Sequence, residues 1–124
     1  MSTLNVANIS DGTDTVATGY VVSGSAKAWV NFDGTGTVAI ADSMNVASLT
    51  DNATGQYTSN LTGNMSSANY ASTTGSTSSL SVTAARTVSG QHAVGSCFTH
   101  CRNSNSNNDI DADQISLVLT GDLA

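Results

Sequence analysis

Four side chains that can bind a metal lie in the stretch HAVGSCFTHC: His92, Cys97, His100 and Cys101. Thiolate and imidazole are the usual zinc ligands, but this spacing matches no standard zinc finger. In an extended strand, positions four apart lie about 13 Å from each other, so a disulfide between the cysteines requires a turn. Three states stay open for Cys97 and Cys101: free thiols, a disulfide, or a metal site shared around a threefold axis. We expect free thiols, because we expect this chain to be made in a cytoplasm, where the reducing conditions disfavour disulfides.

Oxygen ligands are concentrated in NSNSNNDIDADQ, which spans residues 103–114. Asp109, Asp111 and Asp113 alternate there as the carboxylates do in part of a calcium loop. An EF-hand loop also needs a central glycine and a bidentate acid at its end, and this stretch has neither. We expect a solvated loop that leads into the last strand, because Asn, Ser and Asp are ordinary turn residues. Cation binding by the three aspartates is the alternative.

The segment KAWVNFDGTGTVAI contains the single tryptophan, Trp29, beside Lys27 and Asn31. In a strand these three side chains share one side and Phe32 lies on the other. An aromatic face next to hydrogen-bonding groups can stack on a sugar ring, so a glycan platform is one interpretation. We favour the other, in which Trp29 and Phe32 pack in the core or at a subunit contact, because large aromatic residues are enriched there.

No residue pattern in the chain predicts catalysis. A Cys–His nucleophile needs an orienting partner and an oxyanion pocket, and neither has a recognisable spacing near Cys97 or Cys101. The nine acidic residues are scattered through turn-like stretches and form no acid–base cluster. We expect a protein without enzymatic activity and without a cofactor.

The charge balance excludes several classes of partner. The formal net charge is -6, and the cations are Lys27, Arg86 and Arg102. Phosphate binding needs clustered Lys and Arg, so we expect no nucleic-acid partner. No apolar run has the length of a membrane-spanning helix or the flanks of a secretion signal, so we expect no membrane insertion and synthesis in a cytoplasm.

Alternating apolar residues predict strands along most of the chain. Turn signals recur at DGTG (33–36), at DNATGQ (51–56) and at SGQHAVG (89–95). Asp-Gly and Gly-rich turns between alternating segments are typical of β-hairpins. About eight short strands separated in this way predict an all-β fold, either an antiparallel β-sandwich or a jelly-roll-like domain.

Two segments have the clearest alternation. QISLVLTGDL places Ile115, Leu117 and Leu119 on one face, and SLSVTAARTV does the same with Leu80, Val82, Ala84 and Val88. Arg86 falls in register with that second apolar face. Because a lone buried cation is costly, we expect Arg86 to meet an aspartate or backbone carbonyls, across a chain boundary.

The first 25 residues differ from the rest. They alternate weakly and are interrupted by glycine, and they precede the densest strand pattern. We predict an extended N-terminal arm over residues 1–25 and a β-sandwich body over residues 26–124. The arm contains too little apolar material to form a sheet alone, so it must pair with the body, a sister chain or a larger assembly.

Residues 24–70, GSAKAWVNFDGTGTVAIADSMNVASLTDNATGQYTSNLTGNMSSANY, resemble a module of tail-fibre-type virion proteins of tailed bacteriophages, especially those of marine cyanobacteria and other marine bacteria. The termini MSTLNVANI and GDLA resemble the ends of such proteins less closely, and residues 72–110 hardly do. The resemblance implies a virion surface component that is typically trimeric, has no enzymatic activity of its own and assembles in the host bacterial cytoplasm.

We therefore predict a structural virion component, a short tail-fibre or knob-like protein that is a homotrimer. Residues 1–25 would anchor it to other phage virion proteins. Two alternatives stay open: a receptor-binding tip that recognises a host-surface polysaccharide, and a capsid-surface decoration protein. Phe98 is the single aromatic residue after position 71 apart from the histidines, which favours structure over recognition.

Overall fold

Short strands make up most of the molecule. The computed structural model describes residues 1–78 and 83–124. Within these ranges the one helix is α1 (Thr18–Gly24). The strands are β1 (Asn8–Ser10), β2 (Thr15–Ala17), β3 (Ala26–Asp33), β4 (Ala39–Met44), β5 (Val46–Ala53), β6 (Gln56–Leu61), β7 (Ala71–Thr77), β8 (Thr83–Ala93), β9 (Ser96–Asn103) and β10 (Gln114–Thr120).

The strands from β3 onward form two four-stranded antiparallel sheets. The front sheet has the order β4-β3-β10-β7, and the back sheet has the order β5-β6-β9-β8. The edges of the two sheets are linked where the Thr74 hydroxyl donates to the carbonyl of Ala85 at 2.7 Å. The predicted all-β antiparallel sandwich is confirmed.

Three hairpins lie within the sheets, between β3 and β4, β5 and β6, and β8 and β9. The β5–β6 turn requires a glycine, because Gly55 has a φ of +68° and a Cβ there would lie 2.5 Å from the carbonyl oxygen of Cys101. In the predicted DGTG turn, the carboxylate of Asp33 accepts from the backbone N–H and the hydroxyl of Thr35 at 2.8 and 2.7 Å. Local turn chemistry therefore sets the hairpin positions.

The core lies between the two sheets and follows the predicted alternation. The inward side chains of β10, Ile115, Leu117 and Leu119, are fully buried, as their spacing indicated. The rings of Phe32 and Tyr57 meet edge to face with centroids 5.2 Å apart across the sandwich. The remaining buried apolar residues are Ala28, Val30, Leu61, Met65, Tyr70, Cys97, Cys101 and Ala112.

The prediction that Ala84 lies on the inner face of β8 is wrong within the single chain. Ala84 and Arg86 are exposed, whereas Ala85 packs against the core. Arg86 is opposite His100, and Ala85 is opposite the buried Cys101, so the register of β9 decides which side of β8 faces inward. Leu80 and Val82 lie outside the described residues, as does the side chain of Val88. The contact of Arg86 across a chain boundary stays a prediction.

Residues 1–25 are not an extended arm. β1 and β2 pair as a small antiparallel hairpin, and α1 follows β2 directly. The carboxylate of Asp11 closes the turn by accepting from the backbone N–H of Thr13 and of Asp14 at 2.9 and 2.8 Å. Turn chemistry thus folds a segment whose weak alternation indicated an extended chain. No helix in the described ranges has the length and apolarity needed to cross a membrane.

Candidate functional site

The metal-ligand types of HAVGSCFTHC do not converge on one point. Cys97 and Cys101 point into the core from β9, whereas His100 lies on the opposite face of the same strand. His92 is on β8, where its ring stacks on Tyr70 with centroids 4.7 Å apart. Among residues 1–78 and 83–124, no group of three or more His, Cys or Asp side chains is close enough to hold a metal.

Both cysteines are free and fully buried. Burial raises the pKa of Cys97 to about 11, and burial followed by the charge of Asp111 raises the pKa of Cys101 to about 11. The thiolate form, which reacts with disulfides and binds metals, is therefore scarce near neutral pH. Of the three states that the sequence left open, the structure shows free thiols. The two side chains act as small apolar residues of the core.

The aspartates between β9 and β10 hold their loop against the back sheet. Asp109 Oδ1 lies 2.9 Å from Arg102 Nε and 2.8 Å from His100 Nε2, and Oδ2 accepts from Gln56 Nε2 at 2.9 Å. The hydrogen bond from Gln56, then those from Arg102 and His100, lower the pKa of Asp109 from 3.8 to about 2. Asp109 is therefore ionised, and protein donors lie against both of its carboxylate oxygens.

Asp111 has a similar structural role. Its Oδ1 accepts from the hydroxyl of Tyr57 at 2.6 Å and from the backbone N–H of Gly55 at 2.7 Å. Desolvation and the hydrogen bond to Asp111 raise the pKa of Tyr57, so the phenol stays protonated. Asp109 and Asp111 thus bind different donors and brace the end of the loop across the hairpin of β5 and β6. Residues 104–108 are exposed, as expected of a solvated loop.

Trp29 belongs to an apolar row on the outer face of the front sheet. It is paired with Met44 of β4 on one side and with Val118 of β10 on the other, and Val118 is paired with Thr73 of β7. We call these four residues the tryptophan row. Trp29 is half-buried, Met44 is 41% exposed and Val118 is 37% exposed, whereas Phe32 on the inner side is 1% exposed. The row is a candidate contact surface.

A second apolar surface lies in residues 1–25. Eight of the thirteen exposed large apolar side chains of the described residues belong to this segment: Met1, Leu4, Val6, Ile9, Val16, Tyr20, Val21 and Val22. α1 buries no residue. Beside it is a hollow of about 480 Å³ lined by Ala17, Gly19, Tyr20, Ser23 and Gly24. We call this shallow, open depression the helix hollow.

The amount of exposed surface indicates that the segment has no partner within its own chain. A compact monomer of 12.5 kDa exposes about 6,200 Å², whereas this chain exposes 7126 Å². All of residues 1–25 except Thr18 are exposed. The excess of about 900 Å² is close to the roughly 800 Å² that each partner buries in a standard interface.

The sequence singled out Trp29 and the N-terminal segment, but it did not predict the tryptophan row or the helix hollow. The pairing of Trp29 with Val118, 89 positions further along the chain, depends on β10 returning beside β3, which no local pattern specifies. The helix hollow had a signal in TGYVVSG, where small residues flank Tyr20. Comparisons with protein-family models, curated proteins and solved structures found no match for this chain.

Proposed function

We propose that this protein is a structural component of a bacteriophage virion, a short tail-fibre or knob-like protein that is exposed on the particle. Residues 1–25 attach it to other virion proteins, and the chains form a homotrimer. The resemblance of residues 24–70 to tail-fibre-type proteins supports the class of protein. The exposed N-terminal segment is the observation that carries the proposal.

The physical argument rests on the free energy of exposed apolar surface. Removing apolar surface from water contributes roughly 25 cal/mol per Å², so a segment that exposes eight large apolar side chains favours association. Exposed apolar surface concentrated in one segment is a feature of interaction sites in soluble proteins. The body carries a separate core, so the segment can be engaged elsewhere without loss of the sandwich.

Deletion of residues 1–25 tests the proposal. We expect the truncated chain to remain β-rich and to melt cooperatively, because all the core residues lie after position 27. We also expect it to be absent from purified phage particles, measured by quantitative mass spectrometry of particles assembled with the truncated gene. Ser104→Asp in the full chain is the control, since it adds charge to an exposed loop of the body and leaves residues 1–25 unchanged.

The result that would reject the proposal is incorporation of the folded, truncated chain at the wild-type level. Loss of the fold on truncation would reject the division between segment and body. Imaging of the particle locates the protein on the tail or on the head, and density on the capsid alone would replace the tail-fibre assignment by the decoration alternative.

A further inference from the structure

The two apolar surfaces stay apart within one chain although they are close in sequence. α1 ends at Gly24, and Trp29 of the tryptophan row follows five residues later on β3. Despite this proximity, α1 buries no residue, and Met44 and Val118 remain exposed. Neither surface is therefore covered within the chain that carries it.

Ser25 and Lys27 lie in the segment that connects α1 to β3. The ammonium group of Lys27 donates to the carbonyl and to the hydroxyl of Ser25, both at 2.8 Å. The backbone N–H of Ser25 donates to the carbonyl of Val21 at 3.1 Å. These local contacts connect the end of α1 to the start of β3.

The two surfaces are alike in their chemistry. The helix hollow is a shallow, open depression lined by small residues and the ring of Tyr20, which is 77% exposed. The tryptophan row presents a half-exposed indole between two flexible or branched apolar side chains. An indole against a phenol ring and small residues is a contact typical of the centre of protein interfaces.

We infer that α1 of one chain packs on the tryptophan row of a second copy, with Trp29 entering the helix hollow. This inference rests on the proposed homotrimer and specifies the surfaces that build it. The interface is head-to-tail, because unlike surfaces meet, and a head-to-tail interface closes into a ring when its rotation permits. Each chain of such a ring buries roughly 800 Å² on each of its two surfaces, so the excess of about 900 Å² corresponds to the share of the N-terminal segment alone. Residues 1–17 stay available for attachment to the virion.

Two single variants of the full chain test the interface, each with a matched control. Val118→Asp places a charge in the tryptophan row, and Ser116→Asp places the same charge on the same face of β10 in the next row. Tyr20→Asp charges the helix hollow, and Thr13→Asp charges the turn of the β1–β2 hairpin. Circular dichroism and melting curves establish that each variant folds. If Val118→Asp does not fold, Met44→Asp on the edge strand β4 takes its place.

Native mass spectrometry and light scattering give the oligomeric state. We expect trimers for the wild type and both controls, and monomers for Val118→Asp and for Tyr20→Asp. An equimolar mixture of the two single variants should form a heterodimer and nothing larger. The intact row of the Tyr20→Asp chain can bind the intact hollow of the Val118→Asp chain. The other two surfaces each carry the introduced charge, so no third chain can be added.

Other outcomes overturn the inference. Either variant assembling like the wild type shows that its surface is not in the interface. A mixture that stays monomeric shows that the hollow and the row do not meet. A monomeric wild type rejects this interface and the homotrimer together, whereas normal complementation with no incorporation into particles rejects the virion role and leaves the interface intact.

Discussion

Residues 1–25 and residues 26–124 use similar apolar residues in opposite ways. The body buries Val30, Ile115 and Leu117 between two sheets, whereas the segment leaves Ile9, Val16 and Val22 in contact with solvent. Both contain antiparallel strands and tight turns closed by aspartate side chains. The difference is the number of layers, because a two-stranded hairpin has no second sheet to cover its apolar side.

This contrast indicates where the stability and the function of the chain lie. A segment without a core cannot contribute much to the free energy of unfolding, and the proposed function assigns its apolar residues to association. Substitutions in the body should therefore change stability, and substitutions in the segment should change association. The predictions below test this division, beginning with the largest effect on folding.

Truncation of the core aromatic Phe32 should have the largest effect. Phe32→Ala removes a ring that is 1% exposed and lies edge to face against Tyr57, so we expect a loss of roughly 3–5 kcal/mol in the free energy of unfolding. Tyr20→Ala in the segment is the matched control, and we expect a change within about 0.5 kcal/mol. Urea unfolding in dilute solution measures both. Equal losses in the two variants would abolish the distinction between segment and body.

The body was more predictable from sequence than the segment, for a physical reason. Where one face of a strand is buried, alternation records the burial, so β10 and the hairpin of β3 and β4 could be predicted from their residues. On β8, however, Ala84 and Ala85 are equally small, and alternation alone did not indicate that Ala85 faces inward. The choice depends on pairing with β9, which is a tertiary contact.

The contact surfaces and the aspartate brace were harder to predict. The tryptophan row joins β4, β3 and β10, and Asp111 reaches Tyr57 across 54 positions of the chain. Contacts of this kind depend on how the sheets are assembled, and they leave no periodic signal. The Asp109 and Asp111 alternation resembled a cation loop because carboxylates serve equally as metal ligands and as acceptors for protein N–H and O–H groups.

Substitution of Trp29 should change the free energy of unfolding by less than Phe32→Ala and by more than Tyr20→Ala. Trp29→Ala removes cross-strand contacts to Met44 and Val118, which contribute about 0.2–1 kcal/mol each, so we expect the monomer to lose about 1 kcal/mol. Complete burial would raise that loss to roughly 3–5 kcal/mol, and we expect the remainder to appear as loss of assembly. Melting curves in dilute solution, native mass spectrometry and adsorption to host cells are measured together.

Asn31→Ala is the control for Trp29→Ala, because Asn31 lies on the same face of β3 in the next row. It should leave both assembly and the melting temperature close to those of the wild type. A Trp29→Ala protein that is a stable trimer and fails to adsorb would contradict the packing role. That outcome would identify Trp29 as a sugar-stacking platform and the protein as a receptor-binding tip.

The smallest effect concerns two aspartates with lowered pKa values, one in each region. Asp109 has a pKa of about 2 because Gln56, Arg102 and His100 bind its carboxylate. The pKa of Asp11 is lowered by the backbone N–H groups of Asp14 and Thr13. A carboxylate whose pKa is lower in the folded chain stabilises the fold above its unfolded value, and that contribution is lost as the pH falls through the folded value.

Asp109→Asn should therefore melt below the wild type at neutral pH, and the gap should narrow as the pH falls from about 4 to about 2. Asp11→Asn should leave the melting temperature of the body unchanged over the same range, because the turn it closes supports no core residue. Both variants remove one negative charge, so a general effect of net charge would shift them equally. A gap for Asp11→Asn as large as that for Asp109→Asn would mean that the hairpin of β1 and β2 unfolds together with the sandwich, and the segment would then be part of the body.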